Sequence, residues 1–422
     1  MIYKTVSASQ IFEIKGGTQP SKATFSNVPK SGYVRLLQIR DFESEAYPTY
    51  VEDKPSLNKC DKDDVLIGRY GAAVGRICYG MEGAYNVALV KTVPRPGVAK
   101  SFLRHLLRSE LFQGPLLALS GRSAQAGFNR GDLTTISLPL PPLEDQVAIA
   151  TTLGALDEKI EVNRRMGATL EAMARALYRS WFLDFDPVHA KARGEAPAHM
   201  DPDTAALFPD RLNQDGLPEG WSVTTLGDGM ISSIASPGKV DPHIENYGYL
   251  PTARVNGAEF DGFEYHAPGS LPSRARMEPT PERVFFARMK ESPKFVNVLS
   301  EVGDYWHEKI LSTGFAGLDP RPGFGNFLFS FVQSGEFETQ KSALATGAVM
   351  QGINNTSIRQ IEHVLPPENI VLAYEQQVRS WRVKSWQLRI ENHTLASLRD
   401  ALLPKLMSGE IRVRDAEARV KE

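Results

Sequence analysis

The amino-acid sequence predicts two mixed α/β (α+β) domains in tandem, joined by two long antiparallel coiled-coil helices and related by a pseudo-twofold axis. Three observations predict this architecture. A stripe of apolar residues at helical spacing occurs once in each half of the chain, and the two copies lie 225 positions apart. The motifs that flank the stripes repeat at similar shifts, as in a tandem duplication. The length of 422 residues, with 42% hydrophobic and 23% charged residues, suits two ordinary globular domains.

The first stripe predicts a spacer helix over residues 143–183. Pro141 and Pro142 can precede a helix, and Glu144 and Asp145 place negative charge on its first turn. Apolar residues then recur at intervals of three and four, which is typical of a coiled-coil seam. At 1.5 Å per residue such a helix is roughly 60 Å long, too long for the interior of one domain. The predicted seam residues are Ile149, Leu153, Leu156, Ile160, Asn163, Leu170 and Leu177.

The second stripe predicts the partner helix over residues 367–403. Pro404 is expected to end this helix because proline lacks the amide hydrogen that the helix needs. If the two helices pair antiparallel, Asn163 faces Asn392, and this polar pair fixes the register. The alternative is that each asparagine meets solvent at a frayed seam. The seam residues of the second helix are Val378, Trp381, Leu388, Asn392, Leu395 and Leu402.

The rest of the chain divides around these helices. A helix over residues 102–112 is expected to stop or kink at Gly114-Pro115. Strands are predicted at residues 33–39, 65–67, 74–79, 87–93, 249–255 and 283–287. The predicted segments are an α/β domain over residues 1–142, an extended proline-rich linker with one short helical turn over residues 184–220, an α/β domain over residues 221–366 and a tail over residues 404–422.

Composition narrows the class of protein. The net charge of -2 argues against a chain that holds nucleic acid unaided, because phosphate binding draws on Lys and Arg. Residues 1–142 nevertheless carry 18 Lys and Arg against 12 Asp and Glu, a net charge of +6. No apolar run approaches the roughly 18 residues that span a bilayer, and the N-terminus lacks a secretory pattern, so a cytoplasmic location is expected. Cys60 and Cys78 are expected to be reduced thiols.

Signatures of enzymes are missing from the sequence. There is no phosphate loop of the GxxxxGK[ST] type, and no GxGxxG segment follows a strand. Both Pro-Pro pairs follow leucine, so the tetrad that holds the target amino group in adenine methyltransferases is absent as well. The eight histidines do not cluster, which gives no metal site. We therefore expect the chain to carry no catalytic residue, metal or cofactor of its own.

Polar side chains on loops recur in both halves of the chain. Gln and Asn pair with adenine, and Arg or Lys with guanine, so these side chains are candidate DNA contacts. The alternative for any single one is a solvated loop residue, and Asn129 and Asn354 also suit a turn or a helix N-cap. In the first half the candidates are Lys15, Thr18, Gln19, Lys22, Gln38, Arg40, Arg69, Tyr70, Arg122, Gln125, Asn129 and Arg130. In the second half they are Lys239, Arg254, Asn256, Arg288, Lys290, Gln351, Asn354 and Asn355.

A series of motifs resembles a known family. The motifs are LPPLEDQVAIATTLGALDEKIEVNRR, SWFLDFDPVHAK, MDPDTAALFPD, LPEGW and LLPKLMSGEI, in this order. With them the chain resembles the specificity subunits of type I restriction-modification systems over essentially its whole length. DDVLIGRYG and GFNRGDLTTISLPLPPLEDQ are similar to recurrent segments of that family's target recognition domains. The second copy departs more, since PENIVLAYEQQ replaces the usual LPPL-x-EQ beginning and ERVFFARMKES is a loose version of the strand motif.

The resemblance implies a DNA-reading adaptor with no active site of its own. Two target recognition domains would each read one half of a split site in double-stranded DNA, with the two helices setting the unread spacer. Two methyltransferase subunits that bind S-adenosylmethionine would dock along the helices. Restriction (translocase) subunits that use ATP and Mg²⁺ would complete the nuclease. Two alternatives remain open at this point: a duplicated coiled-coil scaffold that reads no bases, and a specificity subunit of a methylation-only system.

Overall fold

The computed structural model describes residues 3–42, 46–120, 127–260, 262–347, 351–411 and 413. The chain forms two compact units. Unit 1 comprises Met1–Val162 with Asn392–Glu422, and unit 2 comprises Asn163–Glu391. The α-helices of the described residues are α1 (Ala8–Ile11), α2 (Lys100–Arg108), α3 (Glu110–Ser120), α4 (Leu143–Phe182), α5 (Asp186–Ala192), α6 (Pro202–Ala206), α7 (Gly325–Val332), α8 (Gly335–Ala343), α9 (Asn355–Ile358) and α10 (Glu368–Ser408).

The described residues of unit 1 form two four-stranded sheets and one two-stranded sheet. The strand orders are β2-β9-β6-β7, β4-β3-β8-β5 and β1-β10, and only the β3·β8 pair is parallel among these described strands. The strands are β1 (Lys4–Ser7), β2 (Phe12–Gly16), β3 (Tyr33–Leu37), β4 (Tyr50–Glu52), β5 (Lys59–Cys60), β6 (Leu66–Gly68), β7 (Ile77–Cys78), β8 (Gly83–Tyr85), β9 (Leu89–Pro94) and β10 (Ser137–Leu140).

Unit 2 repeats the same topology. Its sheets have the orders β12-β21-β18-β19, β16-β13-β20-β17 and β11-β22, and the β13·β20 pair, which corresponds to β3·β8, is again parallel. One extra hairpin, β14-β15, has no counterpart among the described strands of unit 1. The predicted tandem α/β fold is therefore confirmed. The strands are β11 (Ser222–Thr225), β12 (Ser232–Ile234), β13 (Tyr247–Leu250), β14 (Val255–Asn256), β15 (Glu259–Phe260), β16 (Glu264–His266), β17 (Ala275–Met277), β18 (Val284–Ala287), β19 (Phe295–Asn297), β20 (Lys309–Ser312), β21 (Phe315–Pro320) and β22 (Glu362–Leu365).

The long helices α4 and α10 run antiparallel within unit 1. The side-chain amide of Asn392 donates to the carbonyl of Ile160 at 3.3 Å, and Arg399 donates to Asp157 at 2.9 Å. Positions on α10 rise as positions on α4 fall, which is the antiparallel pattern. The seam residues of α4 in this unit are all buried: Ile149, Leu153, Leu156 and Ile160.

The same helices are antiparallel within unit 2. Asn163 donates to the Glu391 carboxylate at 2.9 Å, and the Tyr374 hydroxyl donates to the carbonyl of Ala174 at 3.1 Å. Asn163 is only 1% exposed, so it does not meet solvent at a frayed seam. That Asn163 faces Asn392 stays a prediction. Of the remaining seam residues, Val378, Leu388 and Leu402 are buried, and Leu170, Leu177, Trp381, Asn392 and Leu395 are half-buried.

Helix α10 does not end before Pro404 as predicted, because it continues to Ser408. Leu406 and Met407 beyond the proline are fully buried in the core of unit 1. A proline inside a helix costs about 3 kcal/mol, whereas burying each of these side chains contributes roughly 1.5–3 kcal/mol. Packing therefore favours the continued helix over the predicted stop.

The segment predicted as an extended linker is folded. It contains α5 and α6, and Val188 and Phe208 are buried in the core of unit 2, where the Phe208 ring lies 5.1 Å from that of Trp181. Pro187 is the second residue of α5 and Pro202 the first of α6, and in the first turn of a helix the missing amide hydrogen costs nothing. The prediction of an extended linker was wrong because prolines were taken as breakers where they start helices.

The break in the helical region before the first spacer helix was also misplaced. The chain turns at Ser109, between α2 and α3, and α3 then continues through Pro115. Phe112 and Leu116 on either side of that proline are fully buried. Their packing keeps α3 helical through the proline, so the predicted stop is wrong, while the predicted kink stays a prediction.

Candidate nucleic-acid interface

Two loops of unit 1 meet at the end of strand β6. Arg69 follows the strand and donates from Nε to the carbonyl of Phe128 at 3.3 Å. The next residue, Tyr70, forms a β-bridge with Gly127. A Cβ atom on Gly127 would lie 3.0 Å from the Tyr70 ring and 3.2 Å from the Arg69 carbonyl, so a larger residue would require these neighbours to shift by a few tenths of an ångström. The fold thus brings together Arg69 and Phe128, which lie almost 60 positions apart in the sequence.

Basic side chains surround this junction in unit 1. Arg130 donates to the carbonyl of Ile14 at 3.1 Å, which places the 127–130 loop beside the end of β2. Lys15 follows Ile14 and is exposed, as are Asn129 and Arg130. The fold therefore brings together five of the predicted residues, namely Lys15, Arg69, Tyr70, Asn129 and Arg130.

Unit 2 has the same junction at the end of strand β18. Arg288 donates to the carbonyl of Ile353 at 3.2 Å, the counterpart of the bond from Arg69. Met289 forms a β-bridge with Gly352, and the amide of Lys290 donates to the carbonyl of Gln351 at 3.0 Å. The junction assembles the predicted residues Arg288, Lys290, Gln351, Asn354 and Asn355.

Arg288 is held more completely than its counterpart in unit 1. Besides Ile353, it donates to the carbonyl of Phe315 at 3.3 Å and to Oδ1 of Asn355 at 2.8 Å. Burial lowers the pKa of the Arg288 guanidinium from its ordinary value. All three nitrogens of the Arg288 guanidinium donate hydrogen bonds within the protein. The side chain therefore positions the loop and does not point outward.

The two asparagines of the junction loops have structural roles. Oδ1 of Asn129 accepts from the amide of Gly131 at 2.7 Å and closes a turn. Oδ1 of Asn354 accepts from the amide of Ser357 at 2.9 Å and caps α9. Asn129 is therefore a turn residue and Asn354 is a helix N-cap, as the alternative interpretation of these two asparagines predicted.

The remaining candidates of unit 1 lie on other elements. Gln38 and Arg40 both donate to Oγ1 of Thr49, at 3.2 and 3.4 Å, so they hold a turn of the fold. Thr18 accepts from the amide of Asn58 at 3.4 Å. Gln19 and Lys22 are exposed on the loop that follows β2. Two further candidates, Arg122 and Gln125, lie outside the described residues.

The remaining candidates of unit 2 are also dispersed. Arg254 forms an ion pair with Glu264 at 3.2 Å. Lys239 is exposed on a loop and Asn256 is exposed on β14. Met289 was not among the sequence candidates, although its place immediately after the matched arginine would have indicated it.

Neither a metal centre nor a membrane span was found in the described parts of the chain. No group of three or more His, Cys, Asp or Glu side chains among those residues is arranged to hold a metal ion. None of the described helices is both long and apolar enough to cross a membrane. Both cysteines, Cys60 and Cys78, are buried free thiols.

Comparison with known proteins shows which class of protein this chain resembles. Residues 3–172 match the family model of the type I restriction modification DNA specificity domain. The chain is 26% identical over 427 residues to the type I restriction enzyme HindI specificity subunit of Haemophilus influenzae, with 86% of this chain and 90% of that protein covered. It is 24% identical over 338 residues to the type I restriction enzyme MjaIX specificity subunit of Methanocaldococcus jannaschii, with 78% and 73% covered.

A solved structure has a similar fold. The S subunit of the type I restriction-modification system from M. genitalium aligns over 96% of each chain with a TM-score of 0.57 and 15% identity. The family model over residues 3–172 and the two relatives, which align with most of the chain, support a specificity subunit of a type I restriction-modification system. The resemblance predicted from the motifs is thereby confirmed.

Proposed function

We propose that this specificity subunit reads a bipartite site in double-stranded DNA, one half-site per unit. The observation that carries the proposal is the duplicated junction, in which the same arginine contact and the same glycine bridge occur at equivalent strands of both units. Duplicated readers in one chain suit two half-sites on a duplex. The exposed Lys15 and Arg130 supply positive charge for phosphate or guanine contacts in unit 1.

The proposal extends to protein partners. Apolar side chains on α4 that are 43–53% exposed offer contact area for a partner; they are Leu143, Val147, Met166 and Met173. We propose two methyltransferase subunits as the partners along the helices, with restriction (translocase) subunits joining them. S-adenosylmethionine, ATP and Mg²⁺ would act in those partners in the cytoplasm, and this chain would contribute no catalytic residue.

The test is to co-express the chain with its methyltransferase in a host without adenine methylation and to map N6-methyladenine across the genome. We expect two short defined sequences around a fixed unread gap. Exchanging residues 1–142 for those of a relative should change one half of the motif and leave the other. Restriction assays with the complete set of subunits would then separate a nuclease system from a methylation-only one.

A negative result has a defined meaning. If a folded methyltransferase binds this chain and no methylation appears, the chain is a scaffold that does not read bases. A continuous motif without a gap would contradict the assignment of one half-site to each unit.

A further inference from the structure

The residue after each junction arginine is an exposed apolar side chain on a fixed backbone. Tyr70 is 46% exposed and Met289 is 39% exposed. Each is bridged to a glycine of the neighbouring loop, Gly127 or Gly352. Because the bridge fixes the backbone, these side chains can meet a ligand without the entropic cost of ordering a loop.

The arginines themselves are committed to the fold. Arg69 uses Nε for the carbonyl of Phe128, and its guanidinium lies 5.0 Å from the ring centroid of Tyr70. Arg288 engages two backbone carbonyls and the side chain of Asn355. A base would have to displace these bonds to reach the Arg288 guanidinium, whereas at Arg69 it would meet a guanidinium anchored through Nε and lying beside the Tyr70 ring.

The surroundings of the exposed side chains favour nucleic acid as the ligand. In unit 1, Lys15 near the end of β2 and Arg130 on the loop that bridges to Tyr70 are exposed. In unit 2, Lys290 follows Met289 directly and its amide joins the same junction. An apolar side chain set among cations matches a base with its flanking phosphates, because the base offers an apolar face or methyl group and the phosphates attract the cations.

We propose that Tyr70 and Met289 are the base-contacting, specificity-determining residues of the two units, and that Arg69 and Arg288 are positioning residues. The proposal rests on the proposed function and assigns roles within it. Tyr70 stacks a ring on a base, and Met289 packs its flexible thioether against a base face or a thymine methyl group. The difference between the two side chains gives the two half-sites different preferences.

The test uses the complex with methyltransferase and the split site found by methylation mapping. Dissociation constants are measured for a duplex with the intact site and for duplexes with one half scrambled. Tyr70→Ala is expected to raise the dissociation constant for the intact site roughly five- to hundredfold. It should leave the constant unchanged when the half read by unit 1 is already scrambled, and Met289→Ala should do the same for the other half.

Matched variants separate the roles. Tyr265→Ala removes another exposed aromatic ring, 66% exposed on β16. The dissociation constants for the intact and the scrambled duplexes should stay within about twofold of the wild-type values, because surface substitutions away from a site have small effects. Arg69→Lys keeps the charge but loses the fixed Nε bond. We expect it to weaken discrimination in one half while the salt dependence of binding stays the same, because no phosphate contact is removed.

Two outcomes would overturn the assignment. Unchanged affinity for Tyr70→Ala at an established split site would show that the ring does not contact a base. An equal loss on intact and scrambled duplexes would show contact with the DNA backbone. A wild-type complex that yields no split motif would instead contradict the proposed function itself.

Discussion

The two units place opposite charges at the same buried position of their long helices. Asp157 on α4 and Arg382 on α10 are separated by 225 positions, the shift that relates the two repeats. In unit 1, Asp157 lies 2.9 Å from Arg399 and 3.1 Å from Arg108. Arg104 is a third cation at 3.6 Å. One largely buried carboxylate is thus held by three guanidinium groups.

In unit 2 the buried charge is the guanidinium of Arg382, and an aromatic ring and a hydroxyl group contact it. Arg382 is fully buried, its guanidinium lies 4.4 Å from the ring centroid of Phe329, and it donates to Oγ of Ser330 at 2.6 Å. Phe329 and Ser330 occupy the positions of Arg104 and His105 in unit 1. Nε and Nη1 of Arg382 have no hydrogen-bond partner among the described residues.

The carboxyl groups near the two buried charges have pKa values that are shifted in opposite directions. Burial would raise the pKa of Asp157, but Arg108 and Arg399 outweigh it and lower the pKa below its usual value. Burial raises the pKa of Glu375 near Arg382, although hydrogen bonds from Phe327 and Asn326 oppose the shift. The two repeats therefore keep the same backbone framework but differ in their polar contacts. When the charged residue on the long helix differs, the residues that contact it on the neighbouring helix differ as well.

The largest expected effect is the loss of the charge at Asp157. Asp157→Asn should lower the free energy of unfolding by roughly 1.5–3 kcal/mol, because the half-buried Arg104 and Arg108 lose their counter-charge while Arg399 keeps Asp400. Chemical denaturation followed by circular dichroism measures the loss. All five tryptophans lie in unit 2, so tryptophan fluorescence shows whether unit 2 is affected too. A midpoint unchanged by both probes would mean that Asp157 is not essential to unit 1.

An intermediate effect is expected from pH. Burial, reinforced by Arg104, lowers the pKa of His105 to about 3 from an ordinary 6.5. Above pH 6.5 both folded and unfolded states are neutral at this group. Between 6.5 and 3 only the unfolded state binds the proton, so stability falls as pH falls. Unfolding measured across this range should lose part of its pH dependence in His105→Gln.

The matched position in unit 2 provides the control for this titration. Ser330 replaces histidine there and has no titrating ring. Ser330→Ala should therefore leave the slope of stability against pH unchanged between 3 and 6.5. Equal slopes for the wild type and His105→Gln would contradict the role given to His105.

The smallest effect is expected at the opposite charge. Arg382→Met retains an apolar stem against Phe329 and removes one hydrogen bond and a guanidinium with two unpaired nitrogens. We expect a loss of about 1 kcal/mol or less, since buried charges are often replaced by apolar residues at little cost. The fluorescence-detected unfolding of unit 2 measures it. A loss as large as that of Asp157→Asn would remove the distinction between the two centres.

Much of the fold could be predicted because its signals are local. The apolar spacing from Ile149 to Leu177 predicted α4 over 143–183, and the structure has Leu143–Phe182. The predictions of an extended linker and of a helix end failed at three prolines, namely Pro187, Pro202 and Pro404. Whether a proline breaks, starts or lies within a helix depends on whether the residues after it are buried. The strand order and the parallel pairs in each unit were not predicted, since they depend on contacts between distant segments.

The candidate site shows the same division. The sequence by itself determined the duplication, the long helices and the residue types offered to DNA, because these follow from periodicity and from side-chain chemistry. Only the tertiary structure decided that Arg69 and Arg288 turn inward to carbonyls while Tyr70 and Met289 remain exposed. The direction of a loop side chain is set by the partner that packing brings within hydrogen-bonding distance, and those partners lie about 60 residues further along the chain.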